Sequence, residues 1–373
     1  MPRKKSDQKI RYAVVGLGYI AQVAVLPAFR HASRNSELSA LISDDPEKLR
    51  QLSEKYDVKI TGSYDDYENI LRSGNIDAVY IALPNHMHRE YTVRAANTGV
   101  HVLCEKPMAV TTDECLEMIS ACEDANVKLM IAYRLHFDKA NLKAVEIVQS
   151  EKIGTPKMFN STFSIHVKEG NIRLNDESIG GGPVYDIGIY CINAARYLFR
   201  SEPEEVFAFS ATSDEARFNK AEEMLAVTMK FPQSKLASFV CSFGAADTSN
   251  YRIIGTEGDL RVEPAYEYAE PLVHYLTVDS KTSKKTFKKR DQFAPELEYF
   301  SDCILSNRTP EPGGDEGLID IQIIQAILES AKTRRPLSLE PIQKSRRPEP
   351  EQEIEKPAVD EPELVHAESP SRE

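Results

Sequence analysis

Lys106 stands between Glu105 and Pro107, directly after the apolar run Val100-His101-Val102-Leu103-Cys104. A lysine at the carboxyl end of a strand, with a proline restricting the next step, occupies the edge where open α/β sheets bind ligands. An ammonium there can hold a substrate oxygen or stabilise a neighbouring anion. Glu-Lys-Pro alone recurs by chance, and its plain reading is a surface lysine paired with Glu105. Far downstream lies a second polar group, behind Gly180-Gly181-Gly182-Pro183. The glycines permit close backbone approach, and a helix is expected from Pro183. Asp186, Tyr190 and Asn193 are spaced i, i+4 and i+7, so they share one face of that helix among Ile187, Ile189 and Ile192. The competing reading is a buried tyrosine satisfied by a carboxylate.

A dinucleotide fingerprint precedes both groups. Strand 10–15 runs into Gly16-Leu17-Gly18-Tyr19-Ile20-Ala21 and then a helical pattern, the Rossmann turn with Ala in the third small position. Gly16 permits the tight turn, Gly18 lets the backbone approach a pyrophosphate, and Ala21 lets helix and strand pack closely. The amides at the helix start, around Tyr19 and Ile20, face the phosphate. Ser43 follows the second strand, where an NAD-preferring protein usually carries an acid. Serine leaves room and a donor for a 2′-phosphate, with Lys48 one helical turn on to supply charge. NADP is therefore preferred and NAD stays possible, because a shift of one residue would make Asp44 the ribose acid. At the end of the next strand, Leu83-Pro84-Asn85 suits a loop passing over the cofactor. His88 opens the following helix and reads as a structural cap in preference to a base.

The elements that must position these residues alternate as a parallel sheet requires. Strands are expected at 10–15, 37–42, 76–82, 100–104 and 127–132, with helices starting at Asp45-Pro46 and near Thr112. After about residue 155 the pattern becomes that of an antiparallel sheet with one covered face, at 157–165, 204–212, 223–231, 235–243 and 250–254. Helices are expected at 183–199 and 314–332. From 341 on, Pro, Glu and Lys dominate and aromatics vanish, so disorder is expected. A net charge of −12 argues against general affinity for nucleic acid or anionic membrane. No apolar run approaches the length of a membrane span, and no secretory signal is visible. Six scattered cysteines without a Cys-x-x-Cys pair read as reduced, buried thiols, with no metal site, and fit the cytoplasm.

These segments resemble the Gfo/Idh/MocA family of oxidoreductases, most closely its glucose-fructose oxidoreductase branch. The matching pieces are the turn at 16–21, Ile81-Ala82-Leu83-Pro84-Asn85, Cys104-Glu105-Lys106-Pro107-Met108-Ala109, Leu129-Met130-Ile131-Ala132-Tyr133-Arg134, and 180–198. The resemblance implies an α/β protein. A flexible 1–9 would precede a Rossmann domain at 10–135. A substrate and oligomerisation domain at 136–340 would follow, with a large open, mainly antiparallel sheet, a helix at 314–332 packing back on the Rossmann domain, and the tail 341–373. It further implies a homodimer or homotetramer through that sheet, a small-molecule substrate, and cofactor contacts at His88, Glu105 and Lys106, with Arg134 contacting the cofactor or a neighbouring loop. Most relatives carry a His as acid/base where this chain has Tyr190, as the named branch does. A free tyrosine has a pKa near 10, so a cation must stabilise the phenolate, and Lys106 is the candidate. Asp186 would hold substrate hydroxyls or orient Lys106, and Arg173 and Asn193 join the expected substrate contacts. The expected function is NADP-dependent hydride transfer to and from a sugar or polyol hydroxyl. A non-sugar substrate of dihydrodiol or biliverdin type, and a silent NADP-sensing regulator, are the alternatives. The branch includes members with an arm that ties up NADP, and this chain shows no such arm before its first strand. An exchangeable cofactor is expected.

Overall fold

The computed structural model describes residues 8–340, 342–344 and 346–371. Most of the expected flexible start thus lies outside the described residues. The chain divides into two compact units. The first takes in the described residues of Met1–Arg134, Arg290–Leu318 and Glu355–Ser369, and the second those of Leu135–Lys289, Ile319–Ile354 and Pro370–Glu373.

In the first unit, strands β1 (Ile10–Val15), β2 (Ser36–Ile42), β3 (Ile60–Gly62), β4 (Ala78–Ile81), β5 (His101–Glu105) and β6 (Leu129–Ala132) form one parallel sheet, ordered β3-β2-β1-β4-β5-β6. Its central strands are mostly apolar, as parallel sheets covered on both faces require. All four residues of β4 are buried, and each large side chain there contributes about 1.5–3 kcal/mol of transfer free energy. The order reverses between β1 and β4, the switch point at which such sheets bind ligands. Asp45 caps the helix Pro46–Tyr56, its Oδ1 accepting from the amides of Glu47 and Lys48 at 3.0 and 3.1 Å. Thr111 and Glu114 form the reciprocal cap of Thr112–Asp124. The short, polar β3 lacks the periodicity that would announce it.

The second unit is built on a sheet of β7 (Pro156–Ser164), β8 (Glu205–Ala211), β9 (Met224–Phe231), β10 (Lys235–Ser242), β11 (Thr248–Gly255), β12 (Gly258–Val262), β13 (Leu272–Val278), β14 (Lys281–Phe287) and β15 (Leu337–Ser338). Their order is β14-β13-β12-β11-β7-β10-β9-β8-β15. Only the β7/β10 pair is parallel among the described strands. The alternation is plain in β9, where Leu225, Val227, Met229 and Phe231 are buried while Ala226, Thr228 and Lys230 face out. The inner face is covered by the helix Ile189–Phe199, and Gly188 keeps that contact close: a Cβ there would stand 3.2 Å from the Cys241 Sγ. The expected helix at 183–199 has two parts, a π-helical turn Val184–Gly188 followed by Ile189–Phe199. The helix Gly314–Thr333 starts in the first unit, where Gly314 lies against Ile119 and Gly317 against Met108, and its residues from Ile319 on belong to the second. All six cysteines are free and buried. Among the described residues, no helix is long and apolar enough to cross a membrane.

The expectation of disorder from 341 on is corrected by the described residues of that segment. Against the second unit, Arg347 pairs with Glu202 at 2.7 Å, Glu349 with Arg200 at 2.6 Å, and Glu353 with Lys139 at 2.9 Å. Against the first, Lys356 pairs with Glu298, the Pro357 carbonyl accepts from the Asp291 amide at 3.3 Å, and His366 meets Asp45 at 2.9 Å. Composition foresaw too little apolar burial to order the segment; ion pairs and backbone hydrogen bonds position it instead.

Candidate active site

In the first unit the expected residues stand at the carboxyl ends of the strands. Gly16 follows β1 with φ +87°, and a Cβ on it would come within 2.5 Å of the Ala82 carbonyl oxygen and 3.0 Å of Leu83 Cδ2. The glycine turn and the loop after β4 therefore touch, and only glycine fits between them. Gly18 differs: a Cβ there would meet nothing within 4 Å. That open space beside partly exposed Gly18, Tyr19 and Ile20 is what backbone approach to a pyrophosphate needs, so this turn fits a dinucleotide.

At the end of β2, Ser43 is buried, and its Oγ accepts from the Asp45 amide at 3.2 Å. Asp44 Oδ1 accepts from the Tyr64 amide at 2.8 Å, which commits one oxygen of that carboxylate to the loop after β3. Lys48 sits in the first turn of the next helix. Past β4, Leu83 is buried while Pro84 and Asn85 are half-buried. His88 is fully buried, with Nε2 2.8 Å from the Leu83 carbonyl and Nδ1 2.8 Å from that of Pro107. Burial lowers its pKa, and the two carbonyls act against that. His88 thus braces the loop after β4 against the turn after β5. It is thereby a support for Leu83 and Lys106.

Lys106 is half-buried just past β5. Behind it Glu105 is buried, and its Oε1 accepts from the Tyr80 hydroxyl at 2.8 Å. Burial raises the Glu105 pKa, opposed by the charge of Lys106 and the Tyr80 hydrogen bond. Arg134, also buried, donates to Gln292. Close by in charge terms is Glu296, 0% exposed, whose oxygens have no hydrogen-bond partner within the described residues. Burial first and the Glu105 charge second push its pKa far above the carboxylate range. Glu105, Arg134 and Glu296 thus form a buried charge cluster. Gln292 and Glu296 carried no signal, since a glutamine and a glutamate in an amphipathic pattern read as surface.

In the second unit, Arg173 Nε donates to Asp186 Oδ2 at 2.6 Å, with side chains 27% and 20% exposed. Tyr190 is half-buried against two rings, Phe163 at 5.7 Å between centroids and Tyr266 at 5.8 Å. Tyr266 is itself buried, its hydroxyl 2.7 Å from Ser161 Oγ. Asn193 does not share this exposed position. It is 4% exposed, its Oδ1 2.9 Å from His136 Nε2 and its Nδ2 donating to Asp320 Oδ2 at 3.0 Å. The π-helical turn inserts a residue's worth of rotation after Asp186, so an ideal α-helical face does not predict which side chains align. Of the glycines, Gly181 serves packing: its Cβ would fall 1.8 Å from the Asn175 carbonyl oxygen. Sequence reading missed Phe163 and Tyr266. Phe163 was visible as an inward position of the 157–165 run, whereas Tyr266 lies in an aperiodic turn. Among the described residues, no cluster of His, Cys, Asp and Glu could hold a metal ion.

Comparison with known proteins agrees with this division. Residues 10–133 match the model "Oxidoreductase family, NAD-binding Rossmann fold", and 141–261 match the "GFO/IDH/MocA C-terminal domain". Over 343 residues the chain is 32% identical to D-xylose 1-dehydrogenase (NADP(+)) of Haloarcula marismortui, covering 90% of this chain and 94% of that protein. The chain belongs to the GFO/IDH/MocA oxidoreductase family. D-xylose 1-dehydrogenase (NADP(+)) 2 of Haloferax volcanii is 31% identical, covering 88% of this chain and 99% of that one. The crystal structure of aldose-aldose oxidoreductase from Caulobacter crescentus complexed with glycerol is similar with a TM-score of 0.85 and 36% identity, covering 89% of this chain and 100% of that chain. This member of the family is thus an oxidoreductase with an NAD-binding Rossmann domain, and the fold shown by its relatives extends over nearly their whole length.

Proposed function

We propose that the protein is an NADP-dependent dehydrogenase acting on a hydroxyl of a pyranose sugar or related polyol. The observation that carries this reading is the Asp186 carboxylate held by Arg173, four residues before a half-buried Tyr190 that is flanked by Phe163 and Tyr266. Aromatic faces suit the CH surface of a sugar ring, and a fixed carboxylate suits its hydroxyls. The xylose dehydrogenases and the aldose-aldose oxidoreductase named above support the substrate class.

When bound, the nicotinamide takes the hydride from the carbon being oxidised. Tyr190 takes the hydroxyl proton from the same carbon, leaving a carbonyl. Lys106 positions that oxygen and stabilises the phenolate, and Asp186, oriented by Arg173, accepts from neighbouring hydroxyls. The amides after Gly16 and Gly18 would hold the pyrophosphate, and the loop Leu83–Asn85 would pass over the cofactor. Ser43 and Lys48 take the 2′-phosphate. NADP is favoured over NAD because both acids just past β2 are engaged, Asp44 by the Tyr64 amide and Asp45 by the helix amides of Glu47 and Lys48. Two copies pair through the outer face of the second unit's sheet. There Leu236 lies beside Met158 in register, and Phe209 and Val240 both pair with Ala226, all of them exposed.

The reading is tested by following reduced-cofactor absorbance over a panel of aldoses, with a dihydrodiol and biliverdin as non-sugar controls. Turnover confined to aldoses, faster with NADP than NAD, is expected. Turnover confined to the controls would move the substrate to the non-sugar class, and cofactor binding without any turnover would favour a sensor.

A further inference from the structure

Gln22 is 1% exposed, in the π-helical turn Ala21–Val25 just behind the glycine turn, next to Ala21 and two residues before Ala24. A buried amide must find partners. Nε2 donates to the Leu17 carbonyl at 2.9 Å and also to the Val365 carbonyl at 2.8 Å, while Oε1 accepts from the Val365 N–H at 2.8 Å. One peptide residue of the C-terminal segment thus meets both ends of the amide. Next to it, His366 places Nδ1 2.9 Å from Asp45 Oδ2, and Lys55 Nζ donates to the Glu363 carbonyl at 3.3 Å. Val365 and His366 are therefore pinned beside the residues that follow the carboxyl ends of β1 and β2, neighbours in the sheet, and Glu363 beside the last turn of the helix Pro46–Tyr56. In a Rossmann domain these two ends take the pyrophosphate and the adenosine ribose.

We propose that residues 363–366 form a strap that completes the outer wall of the dinucleotide site, so that bound cofactor leaves only when the strap opens. The inference rests on the dinucleotide reading above and adds a cofactor-retaining segment outside both matched family models, the second of which ends at residue 261. A tail resting casually on the surface would not be matched by a buried glutamine whose donor and acceptor it satisfies together. Breaking that match on opening leaves Gln22 short of partners, which favours the closed form. The strap also reverses the expectation of a freely exchanging cofactor. Glu363 within it, and Glu361 and Glu368 flanking it, make this stretch acidic. A segment that competed with the cofactor phosphates would give the opposite sign in the experiment below.

Three chains are compared: the full chain, a chain ending at Pro362, and full-length Val365→Pro, which removes the N–H given to Gln22. Each is loaded with NADPH, and release is followed by fluorescence after dilution into excess NADP, with circular dichroism recording the fold. Loss of one or two net hydrogen bonds predicts release from the shortened chain at least about tenfold faster, with Val365→Pro severalfold faster. NADPH should also slow V8 protease cleavage after Glu363 in the full chain. Equal release rates in all three chains would overturn the proposal. So would tighter NADPH binding by the shortened chain, which marks the segment as a competitor. Failure of every chain to bind NADPH or NADH would overturn the cofactor reading itself, and the strap with it.

Discussion

The two units place their chemistry by different means. In the first, Gly16, Ser43, Leu83, Lys106 and Arg134 all follow parallel strands, so strand order alone brings them to one edge. In the second, Arg173 comes from a 3-10 turn, Asp186 from a π-helical turn, Tyr190 from the following helix, and Phe163 and Tyr266 from a strand and a turn. An edge tolerates changes in side-chain packing; a floor assembled from unlike elements depends on each side chain's direction. Cofactor binding and chemistry should therefore respond separately to substitution.

The largest effect is expected from Tyr190→Phe, which keeps the ring against Phe163 and Tyr266 but removes the hydroxyl. Loss of a general base should lower kcat about 10²–10⁴-fold. NADPH titration should show affinity unchanged, and a parallel loss of both would break the comparison. Gly18→Ala sharpens the other side. Nothing lies within 4 Å of the added methyl, so the thermal midpoint should hold, while nucleotide affinity falls roughly ten- to hundredfold as the pyrophosphate loses its approach. Gly16→Ala, with its positive φ and its 2.5 Å clash, should lower the midpoint as well. Arg173→Ala frees the Asp186 carboxylate from its cation. Steady-state kinetics should show KM raised about tenfold, the order of one charge-assisted hydrogen bond, with a smaller change in kcat. The smallest effect concerns stability. Glu296 has its folded pKa raised, so its contribution is fully present below the unfolded carboxyl range and is lost as pH rises through the folded value. Glu296→Gln mimics the neutral acid and should melt higher than the parent by a margin that grows with pH, about 1.4 kcal/mol for each pH unit in that window. Melting curves between acidic and alkaline pH that stay parallel would contradict the buried acid cluster.

Legibility in the sequence followed the same division. The strands of the first unit, its glycine turn and the cap at Asp45 follow from local patterns that tertiary packing does not override. Short β3 escaped because three polar-flanked residues carry no period. In the second unit β12, β13 and β14 were missed: Lys281–Phe287 is almost wholly polar and exposed, so no alternation marks it. Asp186 is aligned with Tyr190 and Asn193 by ideal helical spacing, which the π-helical turn Val184–Gly188 breaks. For Glu105 and Arg134, position at the strand end is readable in the sequence while side-chain direction is not. The segment 346–371 was misjudged for a different reason: composition measures apolar burial, whereas Arg347, Glu349, Val365 and His366 are held by ion pairs and by backbone.

The most direct test of the catalytic account is Lys106→Met, which keeps a long apolar stem and removes the charge. Turnover of an aldose and the NADPH dissociation constant are measured on the same preparation. The account predicts that turnover is abolished while nucleotide affinity stays largely intact; unchanged turnover would contradict it.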